Sequence, residues 1–283
     1  MANKVAWRYV FNPTHLSNKE VYESEDIVKI YFRARALQKP EETILNDLRN
    51  KLPNMRVLDI GVGAGRTTQY FAPLTKEYVG VDYSGDMIKI YQQRFQGFSK
   101  NLSFEVADAR AMNSFKDSYF DLVLFSFNGI DYMNHEDRLT ALREIRRVTK
   151  NGGQFCFSTH NLNSALKHCT FRISKNPIRF FEETQKLILT RLVNKNSWKD
   201  LRKRARKQQY MIFNDGAHDF RLRTYYITPP EQIKQLTDYG FSGIKIYGLL
   251  DGKEITNASN LQNAMDAWLY YLCTNNKQMH LEE

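Results

Sequence analysis

The feature that most constrains the fold is a regular alternation of short apolar segments and amphipathic helical patterns between residues 55 and 160. Five segments have the length and the apolar content of buried strands: 55–60, 78–81, 102–106, 120–127 and 154–159. Helical patterns lie between them, and Ser84 and Asn134 are suitable cap residues for two of these helices. Strands that alternate with helices along the chain predict an α/β fold, in which a mostly parallel sheet has helices on both faces.

The alternation stops after His160 and resumes at Thr228, where Thr, two prolines and Glu231 form a favourable helix start. A sixth strand is expected at residues 242–249 and a last one at 268–273, paired with the sixth at the sheet edge. The predicted organisation is an N-terminal helical segment (1–54), a ligand-binding core (55–160), an insertion (161–226) and the C-terminal part of the core sheet (227–283). Because the insertion follows strand five, we expect it above the carboxyl ends of the strands, where open α/β sheets bind ligands.

The positive charge of the chain is concentrated in that insertion. The formal net charge is +10, and residues 161–226 contain fifteen Lys and Arg against five Asp and Glu, whereas the rest contains 26 of each kind. We expect a lid of two or three helices over the site. Its basic run, residues 199–207, either draws in an anionic acceptor or is a solvated helix face.

Targeting features are not evident in the sequence. Residues 1–10 lack the apolar stretch of a signal peptide, and no run of 18 apolar residues exists. Three cysteines, an odd number, are widely spaced and have no metal-ligand pattern. We therefore expect a cytoplasmic chain with reduced thiols, no catalytic metal and no membrane segment.

A glycine-rich turn follows the first predicted strand. Gly61, Gly63 and Gly65 allow a ligand to approach the backbone where any Cβ would collide. Nicotinamide and flavin enzymes use a similar turn, so the glycines alone are weak evidence. Asp59 distinguishes between two classes of cofactor. A carboxylate would repel the pyrophosphate of a dinucleotide, but it favours the cationic ammonium and sulfonium groups of S-adenosylmethionine (SAM). Asp59 therefore favours SAM as the cofactor.

Two further acids end the second and third strands. Asp82 can accept hydrogen bonds from both ribose hydroxyls, and Asp108, beside Ala109, can accept one from the adenine amino group. Tyr83 and Met87 are expected to pack on the adenine face. The alternative for each acid is that it only caps the following helix.

The order of five motifs resembles that of the class I SAM-dependent methyltransferases: VLDIGVGAGR, GVDYS, VADAR, FDLVLFSFNGIDYM and LREIRRVTKNGGQFCFSTHN. The resemblance is specific over residues 55–160, looser over 228–273 and absent from 161–226. It implies a Rossmann-like sheet of seven strands with the last one antiparallel. It also implies cofactor contacts for Asp59, the three glycines, Asp82, Asp108 and Ser126, with residues 125–127 below the methyl group.

Two histidines are candidates for a catalytic base. His160 leaves the fifth strand at the ligand end of the sheet, and His218 lies between Asp215 and Asp219 near the end of the insertion. A local structural role is the alternative for both. The candidate substrate residues are Phe127, Asn128, Tyr225 and Tyr226. Residues 126–129 lack the paired prolines that hold planar amines in several DNA and amino-group methyltransferases, which disfavours methylation of a base amino group.

The sequence thus favours an enzyme that methylates oxygen or nitrogen of a small molecule under a helical lid, with anionic acceptors among the candidates. One alternative is an RNA-modifying methyltransferase that uses the basic insertion as its nucleic-acid surface. A second is a non-catalytic protein that binds SAM. The oligomeric state stays open.

Overall fold

The computed structural model describes residues 35–165, 176–195 and 198–278, together with Glu20, Val21 and Ser24. The helices predicted upstream of residue 35 and the thiol of Cys169 lie outside the described residues. The strands are β1 (Arg56–Ile60), β2 (Glu77–Asp82), β3 (Leu102–Val106), β4 (Phe120–Phe125), β5 (Thr149–Asn161), β6 (Tyr210–Phe213), β7 (Thr224–Ile227), β8 (Phe241–Gly248) and β9 (Trp268–Asn275). The α-helices are α1 (Lys39–Leu48), α2 (Thr68–Phe71), α3 (Gly85–Arg94), α4 (His135–Val148), α5 (Leu162–Ala165), α6 (Pro177–Asn194), α7 (Trp198–Lys207), α8 (Pro229–Asp238) and α9 (Ala258–Gln262).

Seven of the described strands form the predicted sheet, in the order β3-β2-β1-β4-β5-β9-β8. The neighbours among β1 to β5 are parallel, and β9 is antiparallel to both β5 and β8. The mostly parallel α/β sheet with an antiparallel last strand is therefore confirmed. The predicted pairing of the last strand with the sixth is also confirmed: β9 lies between β5 and β8, and β8 forms the edge of the sheet.

Both faces of the sheet are buried, as the apolar content of its strands requires. Successive side chains of a strand point to opposite faces. Leu58 packs in a core cluster with Ile145 of α4, whereas Val57 packs on the other face in a cluster with Ile44 of α1. The helices that alternate with the strands therefore cover the sheet on both sides.

Two element boundaries differ from the sequence prediction. β4 ends at Phe125, not at residue 127, because Phe127 and Asn128 have φ values of 58° and 62°, which no strand can accommodate. The helix α4 ends at Val148, and β5 begins at Thr149, five residues earlier than predicted.

The insertion contains the predicted helices and also a β-hairpin that was not predicted. The strands β6 and β7 pair antiparallel, and β7 pairs with β5 through His160 and Tyr226. The last β4–β5 pair is Phe125 with Phe157, so the hairpin continues the sheet beyond the end of β4. Each hairpin strand has only four residues, too few for a clear period-two pattern.

The helix α7 packs on this hairpin through one face. Leu201 and Ala205 are buried, and Ala205 lies in a cluster with Met211, Phe213 and Tyr226. On the outer face, a shallow depression is lined by four exposed cations: Lys199, Lys203, Arg206 and Lys207. The predicted basic run is therefore exposed on the side of α7 that faces away from the core.

Two of the three cysteines are described, and both Cys156 and Cys273 are free thiols buried in the core. Within the described residues, no helix is both long and apolar enough to cross a lipid bilayer.

Candidate cofactor and acceptor site

The glycine loop, residues 61–65, connects β1 to α2 with all three glycines at positive φ, +63°, +52° and +76° in order. A Cβ at Gly65 would lie 2.2 Å from Cε2 of Phe95, and one at Gly61 would lie 3.1 Å from Cε2 of Phe125. A Cβ at Gly63 would meet nothing nearer than the Gly61 carbonyl oxygen at 4.0 Å. Close packing thus requires glycine at position 65 and leaves little room at Gly61, whereas Gly63 borders open space where a ligand can approach the backbone.

Asp82 lies at the end of β2 against this loop. Its Oδ2 accepts a hydrogen bond from the Gly63 amide at 3.0 Å, and its Oδ1 accepts one from the Ser84 amide, also at 3.0 Å. Ser84 in turn caps α3 by accepting from the Met87 amide at 3.3 Å. The carboxylate is therefore fixed beside the open position of the loop, and its predicted role in ribose binding stays a prediction.

Asp59 lies behind the loop and is only 1% exposed. Thr67 Oγ1 and the Tyr78 hydroxyl both donate to its Oδ2 at 2.5 Å. Burial raises the pKa of Asp59 to about 6, although these hydrogen bonds act in the opposite direction. Two protein hydroxyls therefore occupy Oδ2 of Asp59, and the predicted contact of this residue with the cofactor stays a prediction.

The residues predicted around adenine are only partly assembled. Met87 is buried, Tyr83 is half-buried and Ala109 belongs to the core. The Asp108 carboxylate is paired with Arg110 at 2.6 Å, and hydrogen bonds from that guanidinium lower the pKa of Asp108. Its role at adenine stays a prediction, and it would require part of this pairing to open.

A buried polar network missing from the sequence prediction joins α1 to the site. Glu41 forms a two-pronged ion pair with Arg66, the residue that follows the glycine loop, with one N–O distance of 2.6 Å. The hydroxyls of Ser126 and Tyr270 also donate to Glu41, the latter at 3.0 Å. Burial alone would raise the pKa of Glu41, but its hydrogen bonds and attraction to Arg66 hold that pKa below its ordinary value.

The turn after β4 has a strained backbone. Phe127 and Asn128 are consecutive non-glycine residues in the left-handed region, a conformation that typically costs about 1–3 kcal/mol per residue and clusters at functional sites. The Asn128 amide donates to Ser158 Oγ at 2.8 Å, which ties the turn to β5. The Arg66 guanidinium lies 4.9 Å from the centre of the Phe127 ring. Among the described residues, the buried Oδ1 of Asn128 has no hydrogen-bond partner.

His160 is held by Asp131, a residue that sequence reasoning did not select. Nδ1 of His160 lies 2.7 Å from Oδ2 of Asp131, and the His160 amide donates to the same oxygen at 2.6 Å. A carboxylate accepts hydrogen bonds, so the neutral ring carries its hydrogen on Nδ1 and presents Nε2 as a base. The His160 side chain is 12% exposed, whereas that of Asp131 is fully buried.

Asp131 is itself fixed by the fully buried Arg138 of α4. The Arg138 Nη1 donates to Asp131 Oδ1 at 2.6 Å, and Thr159 Oγ1 donates to the same oxygen at 2.6 Å. The Arg138 Nη2 also donates to Gln232 Oε1 at 2.6 Å, which connects the pair to α8. The carboxylate beside His160 therefore has its charge compensated and its orientation fixed.

Aromatic rings surround His160. The ring centres of Tyr226, Trp268 and Tyr132 lie 5.0, 5.8 and 6.5 Å from that of His160. Trp268 also lies 6.1 Å from Phe127, which connects this group to the turn after β4. Phe127, Tyr132 and Trp268 are half-buried, whereas Tyr226 is buried.

The remaining predicted residues occupy different positions. The ring of His218 lies 5.7 Å from that of Tyr132, so both predicted bases border one tyrosine. Tyr225, next to Tyr226 on β7, points to the opposite face, where its hydroxyl contacts Nδ1 of His135 at 2.9 Å. The structure thus groups Tyr226, Phe127 and both histidines, whereas Tyr225 packs elsewhere.

A sequence pattern marks one charged residue in each of the two missed networks. Glu41 lies three and seven residues before Ile44 and Leu48, and Arg138 lies four and seven residues before Leu142 and Ile145. Each charged residue therefore falls on the apolar face of its helix. A charge at such a position requires a buried partner, which points to a structural or functional ion pair.

Comparison with known proteins finds a family match for one part of the chain. Residues 57–153 match the family model described as a methyltransferase domain. An uncharacterized methyltransferase of Bacillus subtilis is 33% identical over 106 residues, 37% of this chain and 40% of that protein. A ubiquinone/menaquinone biosynthesis C-methyltransferase of Ectopseudomonas mendocina is 36% identical over 113 residues, 38% of this chain and 43% of that protein. The chain thus matches less than half the length of these relatives.

Solved structures are similar to this chain in fold over most of its length. A SAM-dependent methyltransferase from Mesorhizobium loti covers 83% of this chain and 98% of its own, with a TM-score of 0.57 and 16% identity. A 1,6-didemethyltoxoflavin-N1-methyltransferase from Burkholderia thailandensis covers 97% of this chain and 89% of its own, with a TM-score of 0.53 and 14% identity. Residues 57–153 are therefore a methyltransferase domain, and the chain has the fold of the class I SAM-dependent methyltransferases.

Proposed function

We propose that the chain is an enzyme that transfers a methyl group from SAM to a small-molecule acceptor, with His160 as the general base. The observation that carries this proposal is the contact of 2.7 Å between His160 and the buried Asp131. His160 leaves β5 at the same edge of the sheet as the glycine loop leaves β1, because the carboxyl ends of parallel strands meet at one edge.

The glycine loop and Asp82 are the groups that would hold SAM. The open space at Gly63 admits a ligand to the backbone, and the Asp82 carboxylate beside it suits the ribose hydroxyls. The buried negative charge of Asp59 favours a cation in front of the loop. When bound, SAM supplies a methyl group on a cationic sulfur, which a suitably aligned nucleophile can attack.

His160 would accept the proton of the acceptor at Nε2. Asp131 holds the opposite nitrogen, so the ring keeps one orientation and the imidazolium that forms on proton transfer is stabilised. Arg138 pairs with Asp131 and fixes its orientation, so Arg138 is a positioning residue that acts through Asp131.

Labelled SAM tests this proposal, first with a metabolite extract and then with the acceptor found. His160→Gln should reduce kcat by about two to four orders of magnitude while the affinity for SAM stays within about twofold of the parent. His218→Gln is the matched comparison and should have a much smaller effect. Full turnover in both single variants would show that the acceptor needs no histidine base. Binding of SAM without any methyl transfer would favour the non-catalytic alternative.

A second candidate, an RNA-modifying methyltransferase, is supported by the outer face of α7. Lys199, Lys203, Arg206 and Lys207 are all exposed on that face. A nucleic acid bound there should be released by salt, since affinity from phosphate contacts falls steeply with ionic strength. Retention of RNA at low but not high salt, lost when these four residues are replaced by Gln, would support this candidate over a small-molecule enzyme.

A further inference from the structure

We propose that the insertion docks on the surface of an anionic lipid bilayer through the apolar stripe of α6, defined as Ile178, Phe181, Ile188 and Leu192. Peripheral docking of this kind needs no membrane-spanning helix, because a helix can lie in the plane of the interface with its apolar face in the lipid. This surface is separate from the residues assigned to the cofactor and to proton transfer.

The apolar stripe consists of large side chains that are exposed on α6. The exposed fractions are 70% for Ile178, 64% for Phe181, 48% for Ile188 and 46% for Leu192. Successive members are three, seven and four residues apart, which is the spacing of one face of an α-helix. The position between Phe181 and Ile188 on this face is occupied by Gln185, which is half-buried. Exposed apolar side chains grouped on one surface are typical of a site that binds a partner or a membrane.

Different residues attach α6 to the rest of the insertion. Leu189 is only 1% exposed and lies in a cluster with Phe220, against which the half-buried Val193 also packs. Nδ2 of Asn194 donates to the Asn214 carbonyl at 2.7 Å, and the Asn214 amide donates to Oδ1 of Asn194 at 2.9 Å. These contacts fix the C-terminal half of the helix without using the apolar stripe, so substitutions in the stripe should leave this packing intact.

Cations lie beside the apolar stripe at its C-terminal end. Arg191 and Lys195 are exposed and follow Ile188 by three and seven residues, positions on the same helix face as Leu192. Lys195 is the residue after the helix ends, and its amide donates to the Leu192 carbonyl at 3.2 Å. Among the described side chains of residues 177–207, two acids are exposed against eight cations, which are Lys186, Arg191, Lys195, Lys199, Lys203, Arg204, Arg206 and Lys207. The exposed charge of α6 and α7 is therefore strongly positive.

This combination of side chains fits an anionic bilayer better than a nucleic acid or a second copy of the chain. Aliphatic side chains gain free energy in the acyl region of a bilayer, and cations beside them are attracted to lipid phosphates. Nucleic acids bind through cations and aromatic rings, whereas three of the four residues of the stripe are aliphatic. In a symmetric dimer the same cations would face one another, and like charges across an interface are unfavourable.

Sedimentation of the full chain with lipid vesicles tests the docking surface. The probes are vesicles of phosphatidylcholine alone and vesicles in which one third of the lipid is phosphatidylglycerol. We expect the mixed vesicles to bind the protein at least about tenfold more tightly, since each cation near an anionic surface contributes roughly a factor of five. Added salt should weaken this binding without abolishing it, because salt screens the charges but not the burial of apolar side chains.

Two double variants separate the apolar contribution from the electrostatic one. Phe181→Gln with Leu192→Gln should weaken binding to both kinds of vesicle by about tenfold or more, since two large apolar side chains no longer enter the lipid. Arg191→Gln with Lys195→Gln should weaken binding to the mixed vesicles by about tenfold or more and leave the weaker binding to phosphatidylcholine unchanged.

Matched controls change the same kinds of residue outside the insertion. Leu250 is 82% exposed after β8, and Lys76 is exposed directly before β2. Leu250→Gln and Lys76→Gln should both keep the parent binding to vesicles. Every variant should also keep the parent melting temperature and the parent affinity for S-adenosylhomocysteine (SAH), the product that SAM leaves after methyl transfer. A variant that meets both conditions is folded, so a loss of vesicle binding concerns the docking surface.

A reporter in the stripe measures insertion directly. Phe181→Trp adds an indole at the proposed contact, and lipids brominated on their acyl chains quench tryptophan that lies among those chains. Quenching in the mixed vesicles should be stronger in Phe181→Trp than in the parent. Equal quenching in the two proteins would show that the stripe does not enter the lipid, and the docking surface would be wrong.

Three further results would overturn the proposal. One is the absence of binding to either kind of vesicle, and another is undiminished binding by the variant of Phe181 and Leu192, since the attraction would then be electrostatic only. If polyuridylate RNA is retained and vesicles are not, the cations belong to a nucleic-acid surface. If the chain associates with itself, does not bind vesicles and loses this association in the variant of Phe181 and Leu192, the stripe is a contact between copies of the chain.

Discussion

Among single residues, the three glycines of the loop share a backbone conformation but meet different surroundings. Gly65 faces the rings of Phe95 and Tyr91, where a Cβ would come within 2.2 and 2.4 Å of ring carbons. Gly63 has a similar φ, but the space around it is open. Gly65 is constrained by close packing, whereas Gly63 is constrained by the need of a ligand to approach the backbone. Alanine at position 65 should therefore affect stability, and alanine at position 63 should affect ligand binding.

We expect Gly65→Ala to lower the free energy of unfolding by about 2–5 kcal/mol, the combined effect of left-handed strain and overpacking. Gly63→Ala should cost only about 1–2 kcal/mol, the strain alone. In contrast, Gly63→Ala should weaken SAH binding by about tenfold or more, since its methyl group enters the ligand space. Chemical denaturation and calorimetry of the two variants test this. Equal losses of stability, or an unchanged SAH affinity in Gly63→Ala, would contradict it.

Asp59 should make cofactor binding depend on pH. Its pKa is raised to about 6 by burial, so the side chain loses its charge as the pH falls through 6. Affinity for SAH, whose ammonium group is cationic, should then fall by at most about tenfold per pH unit. In the ligand-free protein the same raised pKa favours the protonated carboxyl, so this residue's contribution to stability is present below pH 4 and is lost as the pH rises through about 6.

Calorimetry at pH 5 to 8 measures this dependence, and Asp59→Asn is its matched control because the shape is kept and the charge is removed. The variant should bind SAH more weakly at pH 7.5 and show no change of affinity near pH 6. The same slope in parent and variant would assign the pH dependence to another group.

Among the elements, α1 and the hairpin β6–β7 complete a site that the central sheet alone leaves open. The helix α1 reaches it through Glu41, which connects Arg66 with Ser126 at the end of β4. The hairpin reaches it through β7, where Tyr226 pairs with His160. Both elements lie outside residues 57–153, the part that matches the family model. Glu41 and Tyr226 are therefore supplied to the site by elements outside the matched domain.

The Glu41–Arg66 pair should account for the attachment of α1. Either Glu41→Gln or Arg66→Gln leaves a buried charge without its partner, which typically costs about 3–5 kcal/mol. The double variant should be more stable than the sum of the two losses predicts, by about 1–3 kcal/mol. Glu42→Gln is the control, since Glu42 is exposed and paired with Lys39 on the surface, where such pairs contribute about 0–1 kcal/mol. Additive losses from the two buried substitutions would show that the residues are not coupled.

The mostly parallel sheet and the position of the glycine loop could be predicted from the sequence, because buried parallel strands and glycine-rich turns leave local patterns. The Asp131–His160 pair could not, since Asp131 lies 29 residues before its partner on a separate turn. The hairpin was also missed, because its four-residue strands become recognisable only when paired with β5. Features that depend on a local sequence pattern could thus be predicted, whereas contacts between segments far apart in the chain could be identified only from the structure.

At the scale of the whole molecule, part of the excess positive charge lies on the outer face of α7. The four cations of α7 lie outside, while Leu201 and Ala205 face inward. The four cations therefore point away from the hairpin that carries Tyr226, the neighbour of His160. It can attract a large anionic partner or keep the protein soluble.

Replacing Lys199, Lys203, Arg206 and Lys207 together by Gln should therefore leave kcat/KM for the small acceptor unchanged across a salt series. Steering of an anionic acceptor by these residues would instead give a loss at low salt that shrinks as salt rises, because charges further apart than about 8–10 Å are screened. A steady-state assay at 20 to 500 mM salt, roughly spanning that range of screening lengths, distinguishes the two results. A salt-dependent loss would show that these residues do attract the acceptor.

The most direct test of the central claim is a calorimetric titration of the protein with SAH, with NADH as the comparison ligand. The account predicts one SAH bound per chain and no binding of NADH, because the buried carboxylate of Asp59 behind the glycine loop disfavours a pyrophosphate. It also predicts that Asp82→Ala weakens SAH by about tenfold or more, since charge-assisted hydrogen bonds contribute about 1.5–3 kcal/mol. Binding of NADH in the absence of any SAH binding would contradict the assignment of this site.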